Sequence, residues 1–226
     1  MQQLNEFLKP APGIDSDNPV IERKAMNVCK GLKEPSEKAR SLFYWVRDEI
    51  KYSPLVNIND LQNYRASRTL ERGRGFCVEK AALLASFARA TGIPARVHLA
   101  DIRNHLVSDR LIKVMGTNLF SCHGYSELYL EGKWLKATPA FDLAMCRENR
   151  IVPVEFDARQ DGILHSHNLD GELHIEYVRD RGFYAGVPMD EILADWLHVY
   201  GIDSLERLKR YLEEEKDRIA SRDQEV

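Results

Sequence analysis

Apolar positions fall at helical spacing in the first part of the chain and alternate in the second. Ala39, Leu42, Phe43, Val46 and Ile50 stand at i, i+3, i+4, i+7 and i+11. That pattern predicts an amphipathic helix opening at Glu34-Pro35-Ser36-Glu37 and stopping at Lys51-Tyr52-Ser53-Pro54. A helix is also expected over 19–29, closed by Gly31. Ala81, Leu84, Phe87 and Ala88 share one face of a further helix, which ends at Thr91-Gly92 ahead of Pro94. Residues 93–99 read as a strand. Tyr125, Glu127 and Tyr129 then alternate with Ser126, Leu128 and Leu130, Glu131-Gly132 makes a turn, and 133–138 return as the second strand of a hairpin. Shorter strands are expected at 153–156 and 173–178, with turns at Asp161-Gly162 and Asp170-Gly171. The tail is helical through Ile192, Leu193 and Trp196. It resumes through Leu205, Leu208 and Leu212 after an Asp203-Ser204 cap, and frays over 213–226.

The polar stretches are expected to connect. Pro10, Pro12 and Gly13 suit an extended arm over the first 17 residues, and the arginine-rich 57–74 suits a solvated loop or short helix. A long loop over 101–120 is expected to act as a lid or binding edge. Helices first and an antiparallel sheet afterwards give the class α+β.

At 226 residues, 44% hydrophobic and 30% charged, the chain has enough material for one core and is read as a single domain over 1–226. A net charge of -3 without a basic block gives no support for nucleic-acid or membrane-surface binding. Residues 1–6 lack the basic start and apolar run of a secretory signal, so the expected location is cytoplasmic. Cys29, Cys77, Cys122 and Cys146 form no CxxC pair and are expected to be free thiols.

Chemistry concentrates at Arg72-Gly73-Arg74-Gly75-Phe76-Cys77. Cys77 falls on the first turn of its helix, where unpaired N–H groups and the helix dipole favour an anion and lower a thiol's pKa. A thiolate nucleophile needs an imidazole partner, and that partner needs an orienting group. His123 stands 46 residues on, at the entry of the hairpin, where a strand fixes its direction. Asp142 follows the return strand, and antiparallel pairing carries it back towards His123. His165, His167 and His174 lack a carboxylate or cysteine at recognised metal-ligand spacing, so no metal and no cofactor are expected. Arg72 and Arg74 could receive an acidic substrate group, although arginines near a loop are usually solvated.

These residues resemble the transglutaminase-like superfamily of papain-related fold. Gly75-Phe76-Cys77, the run Gly92-Ile93-Pro94-Ala95-Arg96-Val97, and His123-x-Tyr125-x-Glu127 with Gly132-Lys133-Trp134 look like its three linked motifs. The first Trp of the histidine motif is replaced by Tyr125. The resemblance covers about 36–142. It implies a papain/transglutaminase-like core over about 36–145, leaving a C-terminal strand and helix extension at 150–222. It also implies a Cys77-His123-Asp142 site acting on an amide of a peptide or protein: hydrolysis, or transfer of a glutaminyl acyl group to an amine. Small size and the lack of a visible calcium loop or accessory domain favour hydrolysis. Thr138 occupies the slot four residues after Trp134 where the family places its Asp. Asp142 is preferred as the third member because a carboxylate stabilises an imidazolium better than a hydroxyl does. Glu127 and Trp134 are expected to be structural. The alternative reading is a non-catalytic relative that uses the cleft to bind peptides or to scaffold.

Overall fold

A computed structural model describes residues 2–54 and 64–201, with isolated positions from there to 214. A 3-10 helix, Gln2–Leu8, occupies part of the expected N-terminal arm. Helix α1, Pro19–Val28, begins at Asn18, whose side chain accepts from the Val20 N–H at 2.9 Å. Helix α2, Pro35–Glu49, buries the predicted stripe of Ala39, Leu42, Phe43 and Val46. Its C-terminal carbonyls at Arg47 and Ile50 accept from Lys80 Nζ at 2.9 and 2.6 Å. The amine thereby satisfies acceptors that the end of a helix leaves open. Strand β1, Lys51–Tyr52, pairs in parallel with β2, Arg74–Gly75. Helix α3, Ala66–Arg72, lies between them in the chain, so the arginine-rich stretch is partly helical, while 55–63 fall outside the described residues.

Helix α4, Cys77–Ala90, is the centre of the molecule. The apolar periodicity predicts one buried side, but every residue from Val78 to Arg89 is buried. The reason is tertiary: α1, α2 and α3 pack around it while strands cover the rest. The charged residues Lys80 and Arg89 survive there because backbone carbonyls receive them. Arg89 donates to Ala95 O at 2.9 and 2.7 Å, to Ala185 O at 2.5 Å and to Lys9 O.

The main sheet is antiparallel, in the order β5-β4-β3-β6. Its strands are β3, Ala95–Asn104; β4, Leu119–Leu130; β5, Lys133–Ala137; and β6, Ile175–Tyr184. The β4–β5 hairpin turns where predicted, with Glu131 at φ 50° and Gly132 at 85°, a left-handed pair that suits the twist of a two-residue turn. The expected long loop at 101–120 is not one. β3 runs on to Asn104, helix α5 spans Asp109–Met115 behind its Ser108 cap, and β4 starts at Leu119. Polar side chains had disguised strand ends that pair with one another. Conversely, 153–156 make no strand, because the segment crosses over α2 and Val154 O accepts from the buried Arg47 side chain at 2.8 Å. Helix α6, Leu143–Glu148, and helix α7, Met189–Tyr200, complete the fold. Leu205, Leu212 and Ser204 lie outside the described residues, as does nearly all of 213–226. The arrangement is α+β. One face of the sheet takes α4, with Ser126 Oγ donating to Ala81 O at 2.8 Å, and the other carries a polar and aromatic layer.

Candidate active site

Cys77 is the first residue of α4, and Phe76 precedes it in extended conformation. The Glu79 side chain reaches back to accept from the Phe76 N–H at 3.1 Å, which fixes the helix start, and Arg72 pairs with the same carboxylate. Burial drives the Glu79 pKa up to about 7 against these partners. Backbone N–H groups of Gly124, Val78 and Cys77 converge on the Cys77 sulfur. They do not make it acidic. Burial pushes the thiol up to about 11, and the three N–H groups pull the other way without prevailing. This corrects the expectation of a depressed thiol pKa: the helix terminus contributes as anticipated, but desolvation of the anion is the larger effect.

His123 lies on β4 one residue before Gly124, so the strand that offers an N–H to the sulfur also carries the imidazole. Gly124 permits this closeness. A Cβ there would stand 2.8 Å from Val78 Cα, inside any tolerable contact, so only glycine lets α4 sit this near the strand. Just before His123 the pairing with β3 slips between Ala100 and Ile102, a β-bulge with Cys122 at φ 58°. Asp101 Oδ1 accepts the Cys122 N–H at 3.1 Å and fixes it. Asp101, expected to open a loop, is instead a mid-strand residue supporting the approach to His123.

His123 is 4% exposed, and its Nε2 has no hydrogen-bond partner. Burial lowers its pKa to about 4. The ring packs against Tyr125, with centroids 6.3 Å apart, and edge-on to Tyr177 of β6 at 6.2 Å. The Tyr177 phenol is pushed up to about 12, by burial first and in small part by the Cys77 sulfur, so this ring packs on His123 and lies within electrostatic range of Cys77. Tyr177 also walls a cavity of about 740 Å³ lined by Val152, Pro153, Leu164, Leu173 and Ile175.

Asp142 is placed differently from Cys77 and His123. Its Oδ1 accepts the Met145 N–H at 3.1 Å as the N-cap of α6, and its Oδ2 accepts the Tyr52 N–H at 2.8 Å. Burial works against the ionised form, but these two N–H groups and the charges of Lys80 and Lys51 hold the carboxyl below its usual pKa. No hydrogen bond joins Asp142 to His123 among the described residues. The carboxylate thus holds the backbone of Tyr52, a residue whose side chain feels the Cys77 sulfur. The Tyr52 ring packs on Phe141 at 5.1 Å, and its phenol is raised by burial and by Cys77. Thr138, in the slot that suits a carboxylate, is 1% exposed, and its Oγ1 also lacks a partner.

Glu127 and Trp134 belong to the scaffold. Glu127 pairs with Arg96 and accepts from His98 Nδ1 at 3.0 Å, while the Arg96 guanidinium lies over Trp134 and Phe183 at 4.0 and 3.5 Å. His98 and Arg96 escaped the sequence reading, although their alternation in β3 opposite Tyr125 and Glu127 was a usable signal. Tyr177 could not have been found, since it comes from a strand far along the chain whose partner is set only by folding. Among the described residues, the ligand-capable groups that meet are Asp101, Cys122 and Asp195 rather than the histidines. Arg181 already bridges both carboxylates there, at 2.5 and 2.9 Å. All four cysteines are free.

The family model of the transglutaminase-like superfamily matches residues 22–139, just over half of the chain. The chain belongs to that superfamily. At that level it falls among cysteine hydrolases and transferases. Among solved structures it is similar to "a Putative Cysteine Protease from Cytophaga hutchinsonii", at 17% identity and a TM-score of 0.54 over 85% of this chain and 50% of that one. A second, "a putative protease from Parabacteroides distasonis ATCC 8503", shows 20% identity and a TM-score of 0.38 over 60% and 25%. The chain thus spans half the length of the first of these. That likeness shows the fold, a papain-like arrangement of transglutaminase-like type. No curated protein matches the sequence. No helix among the described residues is long and apolar enough to cross a membrane.

Proposed function

We propose that the chain is a cysteine enzyme that cleaves an amide bond of a peptide or protein through a thioester on Cys77, with His123 as general base and acid and water as the favoured acceptor. The observation that carries this reading is the convergence at Cys77 of three backbone N–H groups, one of them from the residue after His123. With the thiol pushed up and the imidazole pushed down, the resting pair is uncharged at neutral pH. His123 therefore removes the thiol proton as the sulfur attacks the carbonyl carbon, and the N–H groups at the head of α4 receive the oxyanion. The C–N bond breaks as His123 returns the proton to the departing amine. Water, deprotonated by the same imidazole, then releases the acid and restores the thiol. The apolar cavity walled by Tyr177, which neither Cys77 nor His123 lines, offers room for a substrate side chain one ring away from His123.

Asp142, the expected third member, fits better as an anchor, since its two oxygens hold the Tyr52 backbone and the start of α6. The uncharged pair also favours a second reading, a peptide-binding relative without catalysis, because it leaves little thiolate at rest. Exposure to a panel of glutaminyl and other peptides, followed by mass spectrometry of the intact protein, separates the two. An enzyme yields an acyl adduct on Cys77 that is absent from a folded Cys77→Ala variant. Binding without an adduct at any pH supports the module.

A further inference from the structure

We infer that Thr138 is the positioning residue for His123: a small side-chain rotation, not made in the resting structure, lets its hydroxyl accept a hydrogen bond from the imidazole Nε2–H, so that this site runs on an uncharged third group. The inference rests on the dyad reading above and adds the group that orients the imidazole.

Two buried polar atoms of this site make no hydrogen bond of good geometry, His123 Nε2 and Thr138 Oγ1, although the Thr138 hydroxyl is close enough to the Tyr177 phenol to lower its pKa. Buried polar groups are almost always satisfied, so two orphans on neighbouring strands call for an explanation. The strand register brings them together. Ser126 stands opposite Ala137, so one further step sets Thr138 across from Tyr125, on the face that also carries His123. Residues in that diagonal relation lie about 7–8 Å apart at Cα, within reach of side chains. Both also flank Tyr177: the His123 ring packs on it at 6.2 Å, and the Thr138 hydroxyl lies beside its phenol.

A threonine hydroxyl offers one donor and two acceptor sites. It can accept from His123 and donate onward to the Tyr177 phenol oxygen, which also accepts the Leu164 N–H at 3.4 Å. The chain His123 to Thr138 to Tyr177 fixes the tautomer with the proton on Nε2. It leaves Nδ1 as the acceptor for the thiol proton, which is the arrangement a base needs. Asp142 is otherwise engaged, with one backbone N–H on each oxygen. No negative charge is then available to hold an imidazolium, which agrees with the uncharged resting pair.

The test is the pH dependence of Cys77 alkylation by iodoacetamide, read by peptide mapping so that the other cysteines serve as internal references. Thr138→Val should lower the Cys77 rate at pH 7 by about tenfold, less than the roughly 100-fold expected for losing the base outright. Thr138→Ser should restore it to within about twofold. Thr138→Asp places a carboxylate beside the imidazole and should move the rise in rate down by about one pH unit or more. In the wild type, the 15N shifts of His123 should report a proton on Nε2, a measurement that needs no variant to fold. A His123→Ala protein that alkylates at the wild-type rate overturns the dyad reading and this inference with it. If His123→Ala is slow but the Thr138 variants keep the wild-type profile, or the neutral ring carries its proton on Nδ1, this inference alone is wrong. A profile that moves with Asp142→Asn and not with Thr138→Asp also overturns it, in favour of the carboxylate.

Discussion

His98 and His123 share one face of the central sheet and are about equally buried, at 6% and 4% exposure. His98 stacks on Tyr125 with centroids 4.7 Å apart, and its two nitrogens meet Glu127 at 3.0 Å and Asp180 at 2.7 Å. Burial acts to strip its proton, but the two carboxylates outweigh that and raise its pKa. His123 has burial and no carboxylate, and its pKa falls to about 4. Burial alone therefore does not set the charge of a histidine; the partners do. The contrast separates structural and chemical roles along one strand. Glu127 is consumed by Arg96 and His98, whereas His123, four residues earlier, is left free to accept a proton.

The largest expected effect breaks the chemical member. His123→Ala should slow Cys77 alkylation at pH 7 by roughly 100-fold or more, the lower end for loss of a general base, while Cys29 and Cys146 keep their rates. Next comes the structural member. Glu127→Ala leaves Arg96 and His98 in the layer without their carboxylate and should cost about 3–5 kcal/mol by urea unfolding, as breaking a buried ion pair does. It should also lower the NMR titration midpoint of His98.

The two histidines can then be compared by pH. The folded pKa of His123 lies below its unfolded value, so the unfolded chain binds the extra proton as pH falls from about 6.5 to 4, and stability drops with it. The full loss from this group is up to about 3 kcal/mol. His98 has the opposite sign. Its contribution is present below its unfolded pKa and is lost as pH rises through the raised folded value. In His123→Gln the acid-side fall in the urea midpoint should shrink, and in His98→Gln the alkaline-side fall should shrink instead. Equal slopes in both variants would mean the contrast is not real. The smallest effect concerns the third expected member. Asp142→Ala removes a helix cap and the anchor of the Tyr52 N–H, and should lower stability by about 1–2 kcal/mol.

Much of the frame was legible in the residues. The α2 stripe, the Cys77 helix start and the Glu131-Gly132 hairpin all depend on periodicity and turn chemistry, which are local. The strands within 101–120 are hidden in the sequence because a strand covered on both faces need not alternate, and Asp101 looks like a loop residue until its part in the bulge is seen. Chain topology points to Asp142, but topology brings a residue near a place without saying which donors will claim its oxygens first.

By itself the sequence determined which side chains stand on which element: a cysteine heading a helix, a histidine entering a hairpin, a threonine where a carboxylate would suit. Spacing along one element is a short-range property and survives any packing. Only the tertiary structure decided the charge of those groups, because desolvation and hydrogen bonding depend on neighbours such as Tyr177 and Gly124 that arrive from other segments. The same cysteine would be acidic at an open helix end, and here burial holds it as a thiol.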